Sequence, residues 1–321
     1  MASKLLAAAL CAAAIGVAQP ATAKRTTPQY TSITVFGDSL VDAGNIYSLT
    51  GGLQPAMSGG YFQGRFTNGY DYTDLLSIAL FGTPTTASRN GGTNFAYGGA
   101  RATATTAVPD AMEQYALYRL SGQAVDRNGL YVLTFGGNDI FSIQRGTFPS
   151  SYADADAFLV DAVSEYAKLV QSLDALGVRN ILLTDFPVSS PYSITGDVLL
   201  RQKLASLSLN PDTSVFLYNT LDFFGRVTTN PGAFGLDPFT QAGTCQSGGT
   251  AVIDGGCVGY FSFDGTHPVA SVQRALFDDM NRQFNLTGVP EPATWMMMVV
   301  GLGMVGAALR RRPRRVTVRY A

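Results

Sequence analysis

The chain has one histidine in 321 residues, His267, and three cysteines. A hydrolase that uses a histidine base would therefore have no choice of residue. Cys11 lies in the N-terminal apolar run, and the other two cysteines with one histidine are too few for the usual four ligands of a structural zinc site. The motif G-x-S-x-G occurs nowhere, which excludes the nucleophile elbow of the α/β-hydrolases. Charge is scarce as well, at 14% of residues with a net −1. That balance hides an asymmetry, because residues 24–289 hold 15 of the 22 basic side chains and 22 of the 23 acids, or −7. An acidic body offers no electrostatic reason to bind nucleic acid.

The two ends read as addresses rather than as fold. Lys4, an apolar run over residues 5–17 and Ala21-Thr22-Ala23 are the three parts of a secretory signal peptide. The run is too short for the roughly 20 residues of a membrane span. Residues 1–23 are therefore set aside and export is expected. At the other end, Pro290-Glu291-Pro292 precedes an uncharged stretch, 293–309, and then Arg310, Arg311, Arg312, Arg314 and Arg315. Such a stretch is at the short end of a span, and the arginines would stay cytoplasmic. The expectation is an exported body tethered to the inner membrane by its C-terminus. The order of P-E-P, apolar helix and arginine cluster resembles the PEP-CTERM sorting signal of Gram-negative bacteria. That resemblance implies an exosortase-type processing enzyme as partner, and release or delivery of the body to the cell surface or its matrix. Gly301-Leu302-Gly303-Met304-Val305-Gly306 matches G-x-G-x-x-G. It lacks the preceding strand and βαβ unit of a dinucleotide site and reads as small residues on a membrane helix.

The remaining domain, 24–289, is long enough for a full core. Cys11 leaves with the signal peptide, so Cys245 and Cys257 remain. In an oxidising compartment they are expected to form a disulfide, with a metal site as the weaker alternative. Short apolar runs at 33–36, 130–135, 180–184 and 214–218 read as strands. Helical periodicity runs over 67–80 and 152–176, and from Pro268 onward with Pro in the first turn. The stretch 90–108, rich in Gly, Ala and Thr, reads as loop. Strands spaced by helices predict an α/β fold with a mostly parallel sheet covered on both faces. Ligands in such folds sit beyond the carboxyl ends of the strands. The first two predicted strands end there in G-D-S and G-G-N-D.

Candidate chemistry follows from those ends. Asp264 lies three residues before His267 in D-G-T-H-P, within reach of one ring nitrogen, which leaves the other to take a proton. Ser39 follows a strand and a glycine, and a helix starting after it would aim N–H groups at a developing oxyanion. Asn138 and Gly98-Gly99 supply a side-chain amide and unobstructed backbone N–H groups. Each feature alone has a plain alternative: a turn, a helix cap or an exposed histidine.

Taken together, G-D-S-L (37–40), N-F-A-Y-G-G-A (94–100), G-G-N-D (136–139) and D-G-T-H-P (264–268) resemble the four blocks of the SGNH, or GDSL, hydrolases. The longer opening F-G-D-S-L-V-D-A-G-N and R-F-T-N-G at 65–69 resemble the lipase and acyltransferase-like branch. The resemblance implies a flavodoxin-like three-layer α/β/α sandwich with no cofactor or metal. It implies Ser39 as nucleophile, Asp264 and His267 as its triad partners, and Ser39, Asn138 and Gly99 (Gly98 being the other choice) as oxyanion donors. The expected activity is hydrolysis of carboxylic esters, either acyl lipids or acetylated polysaccharide. Two other readings are an acyltransferase using the same residues and a non-catalytic binding module with a decayed site. Phe62, Phe66, Phe141 and Phe148 are either acyl-pocket or core residues.

Overall fold

The computed structural model describes residues 30–104, 106–246 and 256–288. The expected signal peptide, 1–23, the tail 290–321 and its apolar stretch 293–309 lie outside the described residues. Among the described residues, no helix is long and apolar enough to cross a membrane.

Four parallel strands form the sheet in the order β1 (Ile33–Gly37), β2 (Leu130–Thr134), β3 (Asn180–Thr184) and β4 (Ser214–Tyr218). Their register explains the two cores. Val35, Val132, Leu182 and Phe216 lie in one row across the sheet, and Phe36, Leu133, Leu183 and Leu217 in the next. Neighbouring residues of a strand point to opposite faces. The first row accordingly packs with α2 (Tyr72–Phe81), α7 (Thr220–Thr229) and α8 (Ala270–Phe284). The second packs with α3 (Ala111–Leu120), α5 (Ala155–Ala175) and α6 (Pro191–Ala205). The result is an α/β/α three-layer sandwich. Along α5 the stripe Phe158, Leu159, Val163, Tyr166, Leu169, Val170 and Leu173 is buried throughout. Each such side chain contributes roughly 1.5–3 kcal/mol relative to exposure.

Three boundaries differ from the sequence reading. The helix expected from 67 starts at Tyr72, because the Asp71 carboxylate takes the N–H groups of Thr73 and Asp74 and closes a capping box. Pro268 lies before α8 rather than in its first turn; it pairs with Ser262, and its carbonyl accepts from the Thr67 hydroxyl. The stretch 90–108 is not all loop. Val35 N–H donates to Thr93 O, while Phe95 and Tyr97 N–H donate to Val35 O and Gly37 O, so residues 93–97 run beside β1 as an irregular parallel edge.

This edge positions the site. After β1 the chain pairs on one side of it through 93–97, then crosses to the other side as β2. A crevice opens at such a switch point beyond the strand ends. The turn after β1, the 97–100 turn and the start of α4 (Gly137–Arg145) all border it.

Candidate active site

Ser39 sits two residues beyond the last position of β1, where the strand end is held tightly. Gly37 N–H donates to Gln114 Oε1 and Gln114 Nε2 donates to Gly37 O, each at 2.8 Å. A Cβ on Gly37 would lie 2.7 Å from the Thr134 carbonyl oxygen, so the G of G-D-S is required by the closeness of β2. The Ser39 hydroxyl lies 2.6 Å from Nε2 of His267. The other ring nitrogen, Nδ1, lies 2.7 Å from Asp264 Oδ2. Asp264 Oδ1 accepts the backbone N–H groups of Thr266 and His267, both at 2.9 Å. The D-G-T-H turn is therefore wound around its own acid, with Gly265 at φ +98°.

The turn is the tip of a hairpin in which Phe263 N–H donates to His267 O and Val269 N–H to Phe261 O. A third segment braces it. Cys245 and Gln246 N–H donate to Ser262 O and Phe263 O, and Cys245 is disulfide-bonded to Cys257. Gln246 Nε2 donates to Gly59 O at 2.9 Å. Two residues on, the Tyr61 hydroxyl donates to Asp264 Oδ2 at 2.8 Å, the same oxygen that faces His267. Nothing in the sequence signals Tyr61, which is 203 positions from its partner. The Phe66 ring packs on the His267 ring at 5.2 Å between centroids.

Two backbone donors without an acceptor among the described residues border the serine, together with one side-chain amide. The Ser39 and Gly99 backbone N–H groups donate to no protein atom, whereas Gly98 N–H is taken by Asp42 Oδ2 at 2.9 Å. That difference separates the two glycines the sequence left open. Gly99, at φ +85°, is exposed, while a Cβ on Gly98 would strike the Phe66 ring at 2.3 Å. Asn138, in the first turn of α4, donates from Nδ2 to Ala100 O at 2.9 Å. This bond fixes the amide and leaves its second N–H. The expected helix directly after Ser39 is absent. A turn intervenes, α1 (Asn45–Leu49) starts six residues on, and the N–H groups of Gly44, Asn45 and Ile46 go to the Asp42 carboxylate. They are consumed in holding the turn.

Beside these groups lies a cavity of about 390 Å³, lined by Ser39, Asn138 and His267, by Leu40, Phe261 and Pro268 near them, and by apolar side chains of three further segments. Phe141 comes from α4, Pro187 and Val188 follow β3, and Leu221 and Phe224 belong to α7. Of the four phenylalanines in question, only Phe141 lines it. Phe62 packs on Tyr70, Phe148 on Phe158 and Phe66 on the histidine.

The family model of the GDSL-like lipase/acylhydrolases matches residues 33–280. The chain belongs to this family. A PEP-CTERM protein-sorting motif matches residues 288–312, a motif that marks export and surface sorting in Gram-negative bacteria. Lipase 1 of Photorhabdus luminescens is 29% identical over 233 residues, covering 69% of this chain and 32% of that protein. The secreted effector protein SseJ of Salmonella typhimurium is 26% identical over 240 residues, covering 66% and 53%. A GDSL esterase/lipase of Arabidopsis thaliana is 27% identical over 312 residues, covering 75% and 84%. The chain thus spans about a third to a half of the two bacterial relatives and most of the plant one.

As a GDSL-like lipase/acylhydrolase, the chain surrounds its serine with acids whose pKa values are shifted in opposite directions. Burial alone would raise the Asp264 carboxyl. The His267 ring and the two N–H groups outweigh it and hold the carboxyl down at about 2. Asp38, next to the serine, has fewer partners, and burial pushes it up to about 7. Burial likewise raises Asp42 and Asp139 to about 6, against the N–H bonds that each accepts. Asp139 takes Ala102 and Thr103 N–H. Within this GDSL block, then, the D of G-G-N-D anchors the 100–103 turn while the N faces the cavity.

Proposed function

We propose that the chain is an exported serine esterase or lipase that hydrolyses carboxylic esters through an acyl-enzyme on Ser39. The observation that carries this reading is the line Asp264 Oδ2, His267 Nδ1, His267 Nε2 and Ser39 Oγ, at 2.7 and 2.6 Å, beside the Asn138 amide and two backbone N–H groups, of Ser39 and Gly99, that have no acceptor among the described residues. Asp264 accepts from Nδ1–H, which fixes the tautomer with Nε2 as the acceptor of the serine proton. Ser39 Oγ attacks the ester carbonyl, and His267 takes the proton as the bond forms. The charge that develops on the carbonyl oxygen is held by the N–H groups of Ser39 and Gly99 and the Asn138 amide. Such a donor is worth roughly 2.7–4 kcal/mol in the transition state. His267 then returns the proton to the leaving alcohol, and water, activated by the same ring, hydrolyses the acyl-enzyme.

In this reading residues 24–289 are the hydrolase. Residues 290–321 are a sorting tail that holds the body at the inner membrane until an exosortase-type enzyme processes it. Hydrolysis of p-nitrophenyl esters from acetate to palmitate, by the chain and its Ser39→Ala variant, tests the chemistry. Activity should fall by at least about 10³-fold in the variant on every ester. Equal rates for the two proteins would remove Ser39 as nucleophile. A wild-type protein inactive on all of them would favour a binding role.

A further inference from the structure

Among the described residues, two glycines lie inside α-helices away from the ends, Gly196 in α6 and Gly225 in α7. Only proline is a worse helix former, so each asks for a reason. Gly196 has one in packing. A Cβ there would come within 3.1 Å of the Phe186 ring and 3.2 Å of Leu159. Gly225 has none, since a Cβ added to it would meet nothing within 4 Å and its backbone is ordinary helix. The Thr228 and Thr229 hydroxyls bond back to the Gly225 carbonyl, but any residue offers that carbonyl.

What Gly225 does border is the cavity that holds Ser39 and His267. Leu221, Gly225 and Thr228 all line it and share one helix face by their i, i+4, i+7 spacing. The seven steps of helical rise from 221 to 228 make that wall about 10 Å long. Leu221 and Phe224 give the wall large apolar side chains before Gly225. At Gly225 there is only backbone, and beyond it comes the short Thr228. The wall is thus thinned at its middle, in a cavity also bordered by the large apolar side chains of Phe141, Pro187, Val188 and Phe261.

We propose that Gly225 determines acyl-chain length: the missing side chain is the space through which the acyl part of a medium- or long-chain ester runs along α7 from Ser39. The proposal rests on the reading of Ser39 as nucleophile, and it narrows that reading to acyl esters longer than acetate. A side chain at 225 would meet the chain beyond its first carbons and shorten the preferred ester. An acetyl group ends before it gets there.

Gly225 also borders a surface hollow beside Arg226 and Asp222, and a side chain turned that way would leave substrate untouched. The experiment separates the two. Gly225→Ala and Gly225→Leu are compared with wild type and Ser39→Ala on p-nitrophenyl acetate, butyrate, octanoate and palmitate, which share one leaving group. The readout is the ratio of kcat/KM for octanoate or palmitate to that for acetate. In Gly225→Leu this ratio should fall by about tenfold or more, the size of effect that a few methylenes carry in an apolar pocket. Gly225→Ala should fold at least as stably as wild type, with Tm raised by about 2 °C, and show a smaller drop. An unchanged ratio in Gly225→Leu, whether rates fall equally or not at all, overturns the proposal. So does a wild type that hydrolyses acetate and none of the longer esters, which leaves the nucleophile reading standing. Equal activity of Ser39→Ala and wild type would instead bring down the nucleophile reading and this proposal with it.

Discussion

On the sheet side of Ser39, the chain is tied down by buried side chains that bond to backbone. Asp42 takes four N–H groups, from Gly44, Asn45, Ile46 and Gly98. Asn45 Nδ2 reaches Asn94 O and Ala96 O, Asn94 Nδ2 reaches Val41 O, and Gln114 clasps Gly37. On the far side, Asp264 and His267 stand at a hairpin tip braced by a disulfide-linked segment and one tyrosine hydroxyl. The proposed oxyanion donors are thus set by the packing of the sheet, and the proposed acid–base pair by a few contacts added on top. The two sides also answer pH in opposite senses. Asp38 and Asp42 have folded values raised to about 7 and 6 from 3.8, so their contribution is full at low pH and is lost as pH rises through that window. Asp264 is lowered to about 2, so its contribution is full above about 4 and is lost as pH falls towards 2.

The comparison breaks most severely at Asp42. Asp42→Ala leaves four N–H groups without their acceptor, and each buried orphan costs about 1–3 kcal/mol. Set against a total stability of roughly 5–15 kcal/mol, this should leave little folded protein at 25 °C. Circular dichroism and urea titration check it. A variant with a stability loss under about 2 kcal/mol would mean that the sheet side is held by its strands alone.

How much of this difference is legible in the sequence follows from how far apart the partners are along the chain. Asp264 and His267 are three apart, so their pairing can be read from the D-G-T-H turn itself. The strands can be read from their short apolar runs: β1 to β3 are buried almost throughout, and β4 is buried only at Tyr218. The edge at 93–97 cannot, because it pairs by only scattered bonds and its composition is that of a loop. Asp42 is visible in the F-G-D-S-L-V-D-A-G-N motif, yet only its distance to Gly98, 56 positions on, reveals what it does. It also takes up the helix N–H groups that the sequence pattern assigns to the oxyanion. Tyr61 and the α7 wall carry no signal. A tyrosine in a glycine-rich loop and a half-buried helix face look the same whether they meet solvent or an active site.

A smaller effect is expected on the hairpin side. The Cys245–Cys257 bond closes a loop with a sequence separation of 12, and opening it by Cys245→Ser with Cys257→Ser should cost about 3 kcal/mol. Because Cys245 and Gln246 pair with residues 262–263, the loss should fall locally. Hydrogen exchange should rise in 257–268 first and leave β1 to β3 protected. Uniform loss of protection across the sheet would show that the two sides unfold as one unit.

The mildest change is Tyr61→Phe, which removes one hydroxyl and keeps the ring that packs edge-on to Phe263 and Phe66. Asp264 Oδ2 then accepts from His267 alone. The acid keeps its bond to Nδ1 but loses one of the side chains that hold it in place, so the ring is aimed less firmly at Ser39. At neutral pH, kcat should therefore be lower by about tenfold or less. Tm should drop by only a few degrees, about the worth of one hydrogen bond to a charged group. An unchanged kcat would mean that the hairpin and its disulfide-linked brace place the acid without the help of Tyr61.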